Sequence, residues 1–460
     1  MPGFTQVFLA HSLARVISPP TPRELDRRHD REILRLAVPA FLALVAEPLF
    51  LLADSAVVGH LGTPELAALG IAAAVLGTLV SLCIFLAYGT TASVARQVGA
   101  GDTRGALTQG VDGLWLATLI GVAVTLVVLP LIPRVVGLFG PGDAVATYAV
   151  TYLRIALLGT VPLLLMLAAT GVLRGLQDTR TPLVVAVVGN LANIVLNVVL
   201  VYGVGPFDGW GMAGSAVGTV LAQVGSAVAL VWVVVHAARR ERSPLRPHPA
   251  GIRRAGQAGV PLIMRTLMLR ASLLVMTYAA ARLGDPDLAA MQLALTIWTF
   301  LAFTLDAIAI AAQAITGRYL GAADAVGTRA VTARMERWGW LSGVVTGVAL
   351  AAVSPVLGRL FTSDPEVLDL LVPVLLVAAL AQPVAGIVFV LDGVLIGAGD
   401  AVYLAWAQLA TLLVFAPAAW LVADDGLTWL WGAFAVCFMG GRAVTLIVRA
   451  RGDRWMRLGA

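Results

Sequence analysis

Long apolar runs recur along this chain at nearly even intervals, each closed by a short polar turn. A bilayer-spanning helix needs about 20 mostly apolar residues. Runs of that size fall at 33–60, 64–90, 108–133, 147–170, 181–203, 211–237, 256–281, 288–316, 330–357, 368–396, 401–423 and 427–450. The spacing predicts an all-α polytopic membrane protein with twelve transmembrane helices. The connections alternate in charge. Arginine crowds the N-terminal stretch, Arg96–Arg104, Arg174–Arg180, Arg239–Arg254, Arg318–Arg337 and the segment from Arg442 onward, and the intervening turns hold few arginines. By the positive-inside rule the arginine-rich side faces the cytoplasm, with both termini there, in the cell (inner or plasma) membrane.

The pattern also repeats. Pro39 and Pro261 lie 222 residues apart (261 − 39), and the same offset relates Leu61-Gly62 to Leu283-Gly284. It relates Arg96, Gly99 and Asp102 to Arg318, Gly321 and Asp324. It also relates Gly171-Val172-Leu173, Gly175 and Asp178 to Gly393-Val394-Leu395, Gly397 and Asp400. Two homologous six-helix lobes follow. An even number of spans gives both the same orientation, so their symmetry axis lies along the membrane normal. The predicted division is a tail at 1–32, lobes at 33–237 and 256–450, a linker at 238–255 and a tail at 451–460. The first tail has a weak apolar patch from Val7 to Ile17, compatible with an interfacial helix, but no leader with a cleavage site.

Composition agrees with a membrane chain. Of 460 residues, 59% are hydrophobic and 12% charged, where soluble domains carry about 25% charged. All 31 basic residues are arginine, and the net charge of +5 resides in the turns, so no nucleic-acid partner is implied. Cys83 and Cys437 sit inside apolar runs and read as small core residues. There is no phosphate-binding loop, nucleophile elbow or metal-ligand spacing. The chain is therefore not expected to be an enzyme or to hold a cofactor, and transport would be driven by an ion gradient.

The candidate chemistry lies in the charges that the apolar runs carry. A charge at mid-membrane costs roughly 3 kcal/mol or more and survives where it faces a cavity or a partner. The first run holds Glu47 and Asp54, seven apart and so on one helix face, between bend-favouring Pro39 and Pro48. In the second half, Met276 stands where the first has Asp54. Arg265 and Asp306 of the second half answer to Ala43 and Ile84 of the first. Shared residues maintain the fold, whereas unshared charges are the functional candidates. Asn190, Asn193 and Asn197 make one polar stripe on the fifth helix, and Ser215, Thr219 and Gln223 a second on the sixth. With Asp54 they offer oxygens suited to a proton or to sodium. Ser215 and Gln223 are read instead as helix-to-helix bonds, as such residues often form in membranes. In the second half Arg265 and Arg270 need carboxylates, and Asp306 and Asp392 are available, either as a static ion pair or as a gate.

Several segments together resemble the multidrug and toxic compound extrusion (MATE) transporters, of the DinF-like branch. They are LAVPAFLALVAEPLFLLADSAVVGHLG at 36–62, QVGAGD at 97–102, GVLRGLQDTRTP at 171–182, NLANIVLN at 190–197, GMAGSAVGT at 211–219, GRYLGAAD at 317–324 and LDGVLIGAGD at 391–400. The resemblance implies two lobes around a cleft, the fold of the MOP superfamily. It implies export of organic, often cationic or amphipathic, compounds in exchange for protons or sodium. It matches Asp54 to the family's essential acid, Pro39 to the bend in that helix, and Asn193 and Thr219 to the same cavity. Many relatives carry a second acid where this chain has Asn197, which leaves Asp54 as the main titrating group and weakens a permanent sodium site at Asp54, Asn193, Asn197 and Thr219. The expected partners are small organic molecules and the bilayer, and the expected working unit is a monomer. Alternatives are a flippase for a lipid-linked or polysaccharide precursor, which would line its cavity with cations such as Arg174, Arg265 and Arg270, and a membrane-embedded transferase or scaffold.

Overall fold

The computed structural model describes residues 22–459 apart from Phe207, so the apolar patch from Val7 to Ile17 lies outside the described residues. Twelve helices are long and apolar enough to cross a membrane. They are α1 (Pro22–Gly59), α2 (Thr63–Gly99), α3 (Thr103–Gly137), α4 (Asp143–Gly175), α5 (Arg180–Tyr202) and α6 (Gly211–Arg240) in the first half. The second half holds α7 (Pro249–Leu283), α8 (Asp285–Gly321), α9 (Ala325–Leu360), α10 (Pro365–Gly397), α11 (Ala401–Leu421) and α12 (Leu427–Arg451).

Two boundaries differ from the sequence expectation. The charged run at 23–32, read as a tail, is the first part of α1, which starts on Pro22. Proline at the first helical position loses no bond, because that N–H has no intrahelical partner in any case. Between the halves, only 241–248 lies outside helix, since α6 runs on to Arg240 and α7 begins at Pro249. Pro39 and Pro48 do not break α1, which continues to Gly59. Each leaves the carbonyl four residues earlier, on Arg35 and Leu44, without its helical donor.

The internal repeat is visible in the packing. Small residues let membrane helices approach closely, and hydroxyls add bonds across them. On α4, Gly171 and Gly175 sit so near α2 that a Cβ would meet the carbonyls of Ala87 and Thr91 at 2.5 and 2.9 Å. On α10, Gly393 and Gly397 press α8 in the same way, a Cβ on each meeting Ala309 and Gln313 carbonyls at 2.4 Å. These pairs are related by the offset of 222 (171 + 222 = 393; 87 + 222 = 309). Thr91 Oγ1 also donates to the Gly171 carbonyl at 3.1 Å.

The halves meet on their arginine-rich side. A Cβ on Gly99 would lie 1.9 Å from the Arg318 carbonyl, and one on Gly321 would lie 1.9 Å from the Arg96 carbonyl. Residues 99 and 321, like 96 and 318, are equivalents in the repeat, so this reciprocal contact marks the pseudo-two-fold axis. Polar bonds reinforce it. Arg334 of α9 forks onto Asp30 of α1 at 2.7 and 2.6 Å, and Trp338 Nε1 donates to the same carboxylate at 2.7 Å. Arg318 pairs with Glu32, and Gln177 donates to the Ala314 carbonyl at 3.0 Å.

The crossing has no room for a side chain. Gly99→Leu is expected to force α2 and α8 apart at the cost of about 1–3 kcal/mol, as overpacking does. Gly89→Ala, where nothing lies within 4 Å, should be neutral. Thermal unfolding of the purified protein compares the two, and equal melting points would refute the packing argument.

Candidate functional site

Asp54 lies in the C-terminal half of α1 and is 5% exposed. Asn197 Nδ2 donates to its Oδ1 at 2.5 Å, and Ser215 Oγ donates to the same oxygen at 3.1 Å. Both bonds fall on Oδ1, and among the described residues no arginine forms an ion pair with the carboxylate. The stripes on α5 and α6 thus converge on the acid from two sides. Ser215, read as a helix-to-helix bond, does join two helices, but its partner is the acid itself. Tyr152 of α4, also buried, stands beside Asp54, Ser215 and Thr219 and was not singled out from the sequence.

On the α5 stripe, Asn193 Oδ1 and Asn197 Oδ1 are buried without a hydrogen-bond partner among the described residues. A buried polar atom without a partner costs about 1–3 kcal/mol. Native proteins tolerate such atoms mainly where they have a function to perform. A carboxylate and neutral oxygens are the kinds of group that take a hard cation or a proton.

Two predicted members stand apart. Gln223 lies against α4, where a Cβ on Gly159 would meet its Oε1 at 2.2 Å. Glu47 is exposed and joins no charge network among the described residues. It shares the Asp54 face of α1, but the stripe residue at its level is Asn190, whose Nδ2 points to the Ala46 carbonyl at 3.4 Å. Further along, Tyr202 donates to the Val57 carbonyl at 2.5 Å, so α5 is bonded to α1 along its C-terminal half.

The second half solves its burial problem with ion pairs. Asp392 on α10 receives Arg265 of α7, through Nε at 3.3 Å and also through Nη2. Arg442 of α12 reaches the same carboxylate at 2.6 Å. One acid therefore holds two guanidinium groups and ties three helices. Arg270, expected to need a carboxylate, is exposed and has no ion pair among the described residues. Five residues beyond Arg265 it is turned about 140° round the helix, on another face. Asp306 makes no ion pair among the described residues either. It stands within electrostatic reach of Arg265, Arg442 and Arg174 and faces Tyr88 from α8.

Arg442 was read as the start of a basic tail. The structure buries it, directly after a π-helical stretch at Phe434–Gly440. Such widened turns often mark functional positions. The repeat offset held the signal, because the first-half equivalent of Arg442 is Val220 (442 − 222).

Two pseudo-symmetric helical halves, joined on one side and burying charged groups between helices long enough to cross a membrane, have the architecture of a membrane transporter. The comparisons agree. The MatE family model matches the chain twice, at 39–199 and 261–421, ranges displaced by the same 222 residues (261 − 39). The chain belongs to the MatE family of multidrug and toxic compound efflux transporters. It is 32% identical to Protein DETOXIFICATION 44, chloroplastic, of Arabidopsis thaliana, over 82% of this chain and 74% of that protein. It is 29% identical to the DNA damage-inducible protein F of Escherichia coli, over 80% of this chain and 81% of that one. The fold is that of the Vibrio cholerae MATE transporter VcmN in its bent form, with TM-score 0.84, 20% identity and coverage of 93% and 98%.

Sharing one carboxylate makes the acid, not either arginine, the critical member. Asp392→Asn should strand two buried guanidinium groups and cost about 3–5 kcal/mol. Arg442→Met leaves a one-to-one pair with Arg265 and should cost clearly less. Unfolding of both variants in detergent gives the order, and a stable Asp392→Asn protein would overturn it.

Proposed function

We propose that this protein is an ion-gradient-driven exporter of organic, cationic or amphipathic compounds, with Asp54 as the group that couples ion entry to export. The observation that carries this reading is a buried carboxylate bonded only by neutral donors. With no resident counter-cation, its charge is best neutralised by an arriving proton or metal cation. Protonation would remove the acceptor that Asn197 and Ser215 hold. That would loosen the grip of α5 and α6 on α1. The released segment spans Pro48, and below it Pro39 supplies a second point of bending. Energetically, the cycle requires only that ion and substrate prefer different states of this element.

Polarity follows from the charge of the turns, with the arginine-rich side placed in the cytoplasm. Glu47, exposed and without an ion pair among the described residues, favours a cationic substrate. The same fact weighs against a lipid-linked pyrophosphate. Two of the buried arginines, Arg265 and Arg442, are occupied by Asp392.

Proton coupling is favoured over sodium because Asn197 contributes no charge. The test is ethidium efflux from proteoliposomes carrying wild type or Asp54→Asn, under an imposed pH gradient and separately a sodium gradient. The expected result is efflux that follows the pH gradient and falls to background in the variant. Efflux driven only by sodium would assign Asn193 and Thr219 as cation ligands instead. Wild-type rates in Asp54→Asn would remove Asp54 from the mechanism.

A further inference from the structure

A cavity of about 490 Å³ lies at the N-terminal end of α1, far along that helix from Asp54. It opens on the arginine-rich side, between the start of α1, the turn after α4 and the end of α8. Arg28, Arg31 and Arg35 line it from α1, Gln177 from the first half, and Arg318 and Tyr319 from the second. The only carboxylate in its wall, Glu32, is already paired with Arg318. Arg28, Arg31 and Arg35 are exposed and form no ion pair among the described residues. Of the other acids in this part of α1, Asp26 and Asp30 are bound by Arg334 on the opposite face, and Glu24 in the first turn is outside the cavity wall. The cavity wall therefore carries three arginines without an ion pair among the described residues beside one neutralised pair.

The helix geometry says what fills it. Positions 28, 31 and 35 are spaced by three and four, so they share one face. Continuing that spacing leads to Val38 and Leu42, which are 50% and 49% exposed. This face lies opposite the one that carries Glu47 and Asp54 inward, so it looks out to lipid. A basic stripe standing directly above an exposed apolar stripe fits a molecule with an anionic head and a hydrocarbon tail. We infer that this cavity is a binding site for the phosphodiester headgroup of an anionic phospholipid, whose chains lie along Val38 and Leu42. Clustered arginines just outside a membrane span recognise such headgroups. Because its wall comes from both halves, an occupied site fastens them together on the side where they already meet. The inference depends on the arginine-rich face lying at a membrane surface, not on the role of Asp54.

The test uses the full chain in nanodiscs of phosphatidylcholine, with and without phosphatidylglycerol, for wild type and Arg28→Gln/Arg31→Gln/Arg35→Gln. Each arginine near an anionic surface contributes roughly a fivefold change in binding, so the triple variant should bind phosphatidylglycerol on the order of 100-fold more weakly. Wild type should also melt higher when phosphatidylglycerol is present, and the variant should not. Equal melting of the two proteins in pure phosphatidylcholine verifies that the variant folds. Arg31→Gln alone should give an intermediate loss, which keeps the test decisive if the triple variant fails to fold. Equal phosphatidylglycerol binding by wild type and variants would overturn the inference. So would displacement of the lipid by millimolar glycerol phosphate, which would make the ligand a soluble phosphate compound.

Discussion

Charge buried in a membrane must be neutralised, bonded or opened to water, and this constraint explains most of the architecture. The two halves meet it differently. The first half buries Asp54 and bonds it to one amide of α5 and one hydroxyl of α6, while its other buried acid, Asp112, has His248 at 3.8 Å. The second buries Asp392 and saturates it with Arg265 and Arg442. A carboxylate bonded by neutral groups keeps an affinity for small cations. A carboxylate held by two guanidinium groups has little left, and acts to lock three helices into place. The pseudo-symmetric frame thus holds one acid bonded by neutral groups and one locked in ion pairs.

The glycine crossings show why the frame persists while the charges diverge. At Gly171 and Gly393, a side chain would collide with backbone on the neighbouring helix. No substitution elsewhere relieves a backbone clash, so both copies keep glycine. No such constraint acts on the interior of the cleft, and there Asp54 answers to Met276, Arg265 to Ala43 and Arg442 to Val220. Duplication supplied the scaffold, and the unshared positions carry what differs between the halves.

Joining at one face gives the two halves a fulcrum. Gly99 and Gly321 sit on the axis, and Arg334, Arg318 and Gln177 add bonds around it. α1 belongs to both systems. Its first turns are clamped to the second half by Asp30 and Glu32, and its C-terminal half is bonded to α5 at Asn190, Asn197 and Tyr202. Pro39 lies between these two sets of bonds, next to Ala40, which packs against Ala307 and Ile310 of α8.

Much of this was legible from residue order. Span number, the repeat at 222 and the placing of a costly acid at Asp54 follow from lengths, spacing and the cost of a buried charge, which are all properties of linear sequence. Helical period also placed Asn193, Asn197, Ser215 and Thr219 on two stripes. Which stripe residue touches the acid was not legible, because it depends on how α5 and α6 rotate against α1. That rotation made Asn197 and Ser215 its partners and turned Gln223 towards Gly159. Partner choice in the second half was hidden for the same reason. Arg265 and Arg270 look alike in sequence, but only one faces α10, and Arg442 enters the pair through a π-helical turn that no periodicity announces. Sequence alone determined which groups are too costly to leave unanswered. The tertiary structure decided what answers them, because that depends on distances between helices far apart in the chain.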